Sequence, residues 1–532
     1  MNSAHAPTIC DLRAPGIPGV RSLVGFLSRP AVGLFVIVLA GTVVRYVNLG
    51  HSSLVFDEIW RAQRVAEYSL SPDWGLQIFS VPGLRPPILL YHVTWLTTQV
   101  FGVTEWALRL PSVFMGAACI VLIYLAGRAW LGVGPALWAA AVAAFHPVLW
   151  YYSRHAQPYA AEMLCTALIL TTALHHLHKA DGRSLVTHTA ACVLSLGFCY
   201  SATFSILAWL PVLGWAAVRS GDEARTATRR LIVSTCIQLA AIASAIWWTA
   251  SHGREFTVEQ WGRVYNAWPT SATLGGIAAW LRYVVTDVMN YWIGLREAWI
   301  YSWYLVPAFL LLALVAGLAP AWRANRYGLA FVAILLGGLL VAGATRLWPF
   351  VGQRTVAFVI PVVCLLAGAG LERIRLALRS RAVTALMVFA VVGLPAARAA
   401  KRSIVSPLEE EHIRPVVEYV KQHRTSTDAL FVYNGAHYAF DYYWSDAAAP
   451  VIRDPSAYTD DQSEKHALVD GVMSDHPRAW FLFTRYWKHE HEDMTDYIDT
   501  NYRITDSIEF ETASAYRVEH RSGDQPNNEG AI

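Results

Sequence analysis

Charge is scarce in this sequence. Only 15% of its 532 residues are Asp, Glu, Lys or Arg, while 55% are hydrophobic and the mean hydropathy is +0.35. So apolar a composition excludes an ordinary cytosolic enzyme, and the length exceeds one ordinary soluble domain. The chain therefore reads as a multi-pass membrane protein. Its formal net charge of +3 is small and its arginines are dispersed, so no basic tract exists to hold a nucleic acid. Cysteine is also sparse. The seven residues Cys10, Cys119, Cys165, Cys192, Cys199, Cys236 and Cys364 follow no metal-binding spacing, and nothing after Cys364 can form a disulfide. An internal repeat is lacking, and most intramembrane charges sit near the ends of apolar runs, which disfavours a transporter with broken polar spans. No small-residue cleavage site follows the first apolar run, so it is expected to be a retained span.

What the chain has in abundance is apolar runs long enough to cross a hydrocarbon core of about 30 Å. They fall near 31–48, 109–127, 133–151, 159–177, 185–201, 203–219, 231–249, 302–320, 327–344, 355–371 and 382–397. About eleven transmembrane helices are expected in residues 1–400. With the N-terminus cytoplasmic, the short Arg/Lys-rich connections Lys179–Arg183, Arg219–Arg230, Arg323–Arg326 and Arg373–Arg381 all lie inside, as the positive-inside bias requires. The loops 49–108 and 250–300 then lie outside, together with residues 401–532. That last stretch has the composition of a soluble α/β domain, with helices expected over Glu409–His423, Ala436–Trp444 and Asp460–Met473. Strands are expected over Ala429–Tyr433 and Ala479–Thr484, and a strand pair over Tyr502–Glu519. The expected location is the plasma (inner) membrane, with the C-terminal domain extracytoplasmic.

Two adjacent carboxylates, Asp57 and Glu58, open the first outer loop. If Phe56 to Tyr68 is helical, Asp57, Arg61 and Arg64 share one face, since positions four and seven apart are neighbours. Two readings are open from these residues alone: an acid and two bases converging at a reaction site, or an interfacial amphipathic helix with solvated charges. Glu58 has a plain alternative in an ion pair with a loop arginine. Arg109 has one as an interfacial anchor, and Tyr91, Tyr151 and Tyr159 as belt residues. His175-His176-Leu177-His178 and His489-Glu490-His491-Glu492-Asp493 are better read as surface runs than as metal sites.

A string of motifs runs from Arg85 to Tyr159. Arg85-Pro86-Pro87 precedes Tyr91 and His92, then Phe101-Gly102, Glu105 and Arg109-Leu110-Pro111-Ser112. Gly116, Tyr124, Gly127-Arg128, His146-Pro147 and Tyr151-Tyr152-Ser153 follow, and Ala156-Gln157-Pro158-Tyr159 closes it. With Asp57-Glu58 upstream and Arg354 and Pro361 downstream, this order resembles the GT-C membrane glycosyltransferases. The similarity is to the group containing the protein O-mannosyltransferases and the aminoarabinose transferases of lipid A. The resemblance covers about the first 400 residues, and the C-terminal domain is similar only weakly to the outer domains of such enzymes.

The resemblance implies a polyprenyl-phosphate sugar donor and a lipid, polysaccharide or protein acceptor, with no cofactor or metal required. It places Asp57 at the catalytic aspartate, Glu58 beside it, and Arg85 on the lipid phosphate. Arg61, Arg154 and Arg354 are further phosphate candidates, and Tyr91, His92, Arg109 and Tyr159 are candidates to bind substrate. Two departures stand out. Arg85 replaces the Lys or His common in the family, and Gln157 stands where relatives often have Arg, with Arg154 about one helical turn earlier as the candidate substitute. A polyprenyl phosphate leaves as an anion and needs no acid, so one carboxylate base is enough for an inverting transfer of a single sugar. The alternatives are an oligosaccharide transferase with a lipid-diphosphate donor and a lipid-linked-sugar flippase.

Overall fold

The computed structural model describes residues 30–69, 87–219, 224–250, 261–262, 266–269, 271, 273–293, 305–444, 451–455, 462–485 and 489–521. Its helices coincide with the expected apolar runs. They span Pro30–Tyr46, Glu105–Trp130, Val133–Phe145, Tyr159–Lys179, Gly182–Phe198, Ala202–Val218, Ala224–Ala250, Leu305–Ala324, Arg326–Ala344 and Ile360–Leu378, with a final helical segment from Arg381 to Val405. Among the described residues, seven helices are long and apolar enough to cross a membrane, and Pro30–Tyr46, Val133–Phe145 and Ala202–Val218 are apolar but shorter.

Proline shapes several of these helices. His146 precedes Pro147 and is driven to extended backbone, which ends Val133–Phe145 and starts the short helix Pro147–Tyr152. Pro111 sits inside Glu105–Trp130 and cannot donate to the Ala107 carbonyl. The Thr97 hydroxyl, on the neighbouring helix Ile88–Phe101, lies 3.0 Å from that oxygen and shares its one proton between it and the Thr94 carbonyl at 2.7 Å. Small residues set the closest contacts. A Cβ at Gly317 would strike the Leu366 carbonyl, and one at Gly370 the Ala313 carbonyl, so Leu305–Ala324 and Ile360–Leu378 meet backbone to backbone.

The C-terminal region forms a five-stranded sheet in the order β2-β1-β3-β5-β4, from β1 (Ala429–Val432), β2 (Val451–Arg453), β3 (Arg478–Thr484), β4 (Arg503–Glu509) and β5 (Ala513–Glu519). The first three are parallel, with Leu430 opposite Val451 and Trp480, and β5 runs antiparallel to β3 with Phe481 opposite Tyr516. Helices Ile413–His423, His437–Tyr443, Gln462–Asp475 and Glu490–Asn501 connect or cover the strands. β2 and the last of these helices are additions to the expected elements. The sheet does not keep its core to itself: Val416, Phe440 and Trp480 pack in one cluster with Leu54, Ile59, Ala62 and Val65 of the first loop.

Candidate active site

The acidic pair lies at the start of a helix, Phe56–Ser69. Its apolar face is set by Ile59, Ala62 and Val65, three residues apart and fully buried. Its opening amides have no intrahelical acceptors, and side chains supply them. Leu54 N–H donates to the Tyr443 hydroxyl at 2.8 Å, Val55 N–H to Glu58 Oε2 at 3.1 Å, and Phe56 N–H to Glu411 Oε1 at 3.2 Å.

Consecutive positions on a helix point about 100° apart, and the two acids accordingly face different surroundings. Glu58 is fully buried. Arg109 donates to it through Nε at 3.0 Å and Nη2 at 2.6 Å, and the Ala156 N–H adds a bond of 2.6 Å. Burial alone would raise this carboxyl, but the Arg109 guanidinium outweighs it and, with the His155 charge and the Ala156 amide, holds it down at about 2. Arg109 also donates to the carbonyls of Leu49, Ser52 and Ser53 at 2.9 to 3.0 Å. This pair thus ties the loop to helix Glu105–Trp130. Glu58, expected beside the catalytic acid, and Arg109, expected on substrate, are each engaged by the other and by backbone.

Asp57 faces the other way and remains 40% exposed. It pairs with Arg354, which opens the 3-10 turn Arg354–Val359 leading into Ile360–Leu378. The Arg354 guanidinium also lies over the rings of Tyr159 and Trp261, 5.9 Å from each centroid. Asp57, Arg61, Glu162 and Arg354 all lie within electrostatic reach of the Tyr159 hydroxyl. Arg61 is 92% removed from solvent, stands 5.5 Å over the Tyr91 ring, and has no hydrogen-bond acceptor at Nε or Nη1 among the described residues. A buried guanidinium with open donors is suited to hold an anion. Glu162, which no motif singled out, is buried in the first turn of Tyr159–Lys179, and its Oε2 has no hydrogen-bond partner among the described residues. Its signal was present, since a carboxylate inside an apolar span is costly and marks function by default.

Arg154, expected as a phosphate contact, is engaged by backbone carbonyls. Its guanidinium donates to the carbonyls of Val44, Arg45, Val47 and Asn48 at 2.8 to 3.3 Å, closing the C-terminal end of helix Pro30–Tyr46. Burial and the Arg109 charge lower it to about 10. Gln157 is buried. His92 turns back along its own helix, its Nδ1 2.8 Å from the Ile88 carbonyl. Arg64 lies 5.1 Å over Trp60, and Arg346 is exposed on the link before Arg354. Arg85 is outside the described residues. Among those residues, no group of three or more His, Cys, Asp or Glu could hold a metal ion. The His489–Asp493 run disperses: Glu490 reaches the Tyr433 hydroxyl, His491 Nε2 lies 2.9 Å from the Ser514 hydroxyl, and His489 pairs with Glu492.

Residues 85–248 match the family of dolichyl-phosphate-mannose-protein mannosyltransferases. No curated protein matches the chain in sequence. Among solved structures, ArnT from Cupriavidus metallidurans in its apo state is similar, with TM-score 0.54 and 14% identity over 93% of this chain and 98% of that one. The same protein bound to undecaprenyl phosphate gives 0.52 at 15%, over 91% and 97%. An oligosaccharyltransferase of Archaeoglobus fulgidus tethered to an acceptor peptide gives 0.52 at 12%, over 95% and 76%. At these identities the structures establish the fold, and the family match supplies the sequence signature. Over residues 85–248 the chain thus carries the sequence signature of the dolichyl-phosphate-mannose-protein mannosyltransferases, and as a whole it shares the fold of ArnT and of the Archaeoglobus fulgidus oligosaccharyltransferase.

Proposed function

We propose that this protein transfers a single sugar from a polyprenyl-phosphate donor to an acceptor hydroxyl on the outer face of the plasma membrane, with Asp57 as the base. The observation that carries this reading is the division of the acidic pair. Asp57 is partly exposed among Arg354, Arg61, Tyr159 and Glu162, while Glu58 is locked into the frame. The undecaprenyl phosphate bound by the structurally similar ArnT supports a lipid-phosphate donor.

In the proposed reaction the acceptor oxygen attacks C1 of the sugar as its proton passes to Asp57. The bond from C1 to the phosphate oxygen breaks, and the polyprenyl phosphate departs with the bonding electrons. Inversion at C1 follows from a single displacement. Positive charge in a partly dry site lowers the barrier as charge grows on the phosphate. Arg61 is the best-placed donor, Arg354 can share itself between Asp57 and the phosphate, and Arg85 is proposed from the motif alone. Glu162 and Tyr159 are proposed as neighbours of the sugar because Asp57, Arg61 and Arg354 share the surroundings of the Tyr159 hydroxyl.

Purified protein incubated with radiolabelled polyprenyl-phosphate sugar and an envelope extract should release polyprenyl phosphate and label an acceptor. Asp57→Asn should bind the donor and lose turnover by about 10²–10⁴-fold. Unchanged turnover in that variant would remove Asp57 from the chemistry. Movement of lipid-linked sugar across proteoliposomes independent of Asp57 would favour a flippase instead.

A further inference from the structure

Besides the apolar packing of Ile59, Ala62 and Val65, the C-terminal domain grips the first residue of the acidic helix, Phe56, from two sides. Glu411, in the segment leading into helix Ile413–His423, accepts the Phe56 N–H at 3.2 Å. Arg485, the first residue beyond β3, lays its guanidinium over the Phe56 ring at 4.1 Å and stands 3.8 Å from Glu411 Oε1. The Tyr438 ring meets Phe56 edge-on at 5.5 Å. The next residue is Asp57.

Arg485 is held in place with some care. Its φ of +54° is in the left-handed region that non-glycine residues rarely adopt. Gly435 packs against this turn so closely that a Cβ there would come within 2.8 Å of the Arg485 and Thr484 carbonyls. Both features belong to the carboxyl edge of the parallel strands β1 and β3, whose flanking connections run to opposite sides of β1. That edge is where open α/β sheets place functional groups.

We propose that Glu411 and Arg485 form a clamp on Phe56 that positions Asp57, which makes the C-terminal domain a working part of the active site. The proposal rests on the reading of Asp57 as base. The clamp supplies an acceptor to an amide the helix cannot satisfy and fixes the ring beside it, so the direction of the Asp57 carboxylate is set from the C-terminal domain. A displacement of about 1 Å at a reacting group can lower turnover about 10²-fold.

Two measurements on the full chain in lipid nanodiscs test this. In hydrogen exchange, the peptide covering residues 54–65 should exchange about tenfold faster in Glu411→Ala, as expected for loss of one hydrogen bond. Glu411→Gln, which keeps an acceptor oxygen, should restore protection, and peptides from the membrane helices should be unaffected throughout. In turnover of polyprenyl-phosphate sugar, Glu411→Ala and Arg485→Ala should lower kcat at little-changed donor KM, with Glu411→Gln restoring it. Unchanged exchange in Glu411→Ala overturns the clamp, and faster exchange with unchanged kcat overturns its positioning role. If the wild type turns over no such donor, the functional reading fails, while the exchange comparison still decides whether the clamp holds the helix.

Discussion

Breaking the Glu58–Arg109 pair from either side should dismantle the acidic loop, and its contacts give the magnitude. Arg109→Met removes the guanidinium that meets both Glu58 oxygens and the carbonyls of Leu49, Ser52 and Ser53. A buried ion deprived of its partner costs about 3–5 kcal/mol. Each orphaned buried carbonyl adds about 1–3 kcal/mol before relaxation. Even the lower ends sum to about 6 kcal/mol, comparable with the whole stability of a marginal domain. Glu58→Gln keeps an oxygen for the Ala156 N–H but faces Arg109 without charge, and should cost about 3 kcal/mol. The double variant removes both charges and should recover part of the loss, with a coupling of about 2 kcal/mol or more. Tryptophan-fluorescence melts of the four proteins in detergent, alongside turnover well below the midpoints, give the cycle. Additive losses would refute the pair as a structural unit. A Glu58→Gln protein that melts with the wild type yet turns nothing over would make Glu58 a reacting group.

Arg61→Ala should weaken donor binding about 10- to 100-fold, the worth of a charge-assisted contact, while Arg154→Ala should lower the melting point and leave donor affinity intact. Equilibrium binding of labelled donor separates the two, and the reverse pattern would restore Arg154 as the phosphate ligand. Glu411 gives a pH signature. Burial raises it from 4.5 to about 7, against the lowering influence of Arg485 and the Phe56 N–H, with Glu410 and Glu58 adding to the rise. The folded protein then keeps a proton that the unfolded chain has lost, so stability should fall between about pH 4.5 and 7 and level off above. His155, raised by Glu410 and Glu58 despite its burial, adds a contribution that is full below its ordinary 6.5 and lost as pH rises through its folded value. Melts across this range should slope less in Glu411→Gln, and an identical slope would remove Glu411 as its source. Thr97→Val should destabilise by about 1 kcal/mol or more by orphaning the Ala107 carbonyl that Pro111 cannot serve, whereas a melt equal to the wild type would show another donor at that oxygen.

The membrane frame was legible because twenty-residue apolar runs and prolines act locally. Its helices fall on the expected segments, while His146-Pro147 splits one run into two helices. The helix of the acidic pair was a condition of the reading that grouped Asp57, Arg61 and Arg64, and the fold supplies it as Phe56–Ser69. The partner of each charge was not legible, because partners come from far along the chain. Arg109 is 51 residues from Glu58, and Arg354 is 297 residues from Asp57. Arg154 shows the same limit. A lone arginine near a motif suits a phosphate equally well as four carbonyls at a helix end, and only the fold shows which acceptors are within reach. Glu162 was legible in principle, as a single costly charge inside an apolar run, but no motif pointed to it. Strand β2, three residues long and lying between two connections, carries too short a pattern to separate from a turn.

The adjacent acids show how one dipeptide serves frame and chemistry together. A residue that must donate or accept a proton at neutral pH needs access to solvent or substrate, and a residue that must hold a loop needs the reverse. The 100° step between neighbours on a helix delivers both from consecutive positions. Glu58 turns inward, where Arg109 and the Ala156 amide fix the carboxylate as an anion. Asp57 turns outward to Arg354 and the Tyr159 surroundings. Because Glu58 is anchored to helix Glu105–Trp130 and Phe56 to the C-terminal domain, Asp57 is held between two fixed points one residue away on either side. Exchanging the pair as Asp57→Glu with Glu58→Asp keeps the total charge yet shortens the inward arm by one methylene and lengthens the outward one. The shortened arm cannot span to both Arg109 nitrogens and the Ala156 amide without moving the helix. This swap should therefore cost both stability and turnover, where chemistry carried by either acid alone would spare one of them.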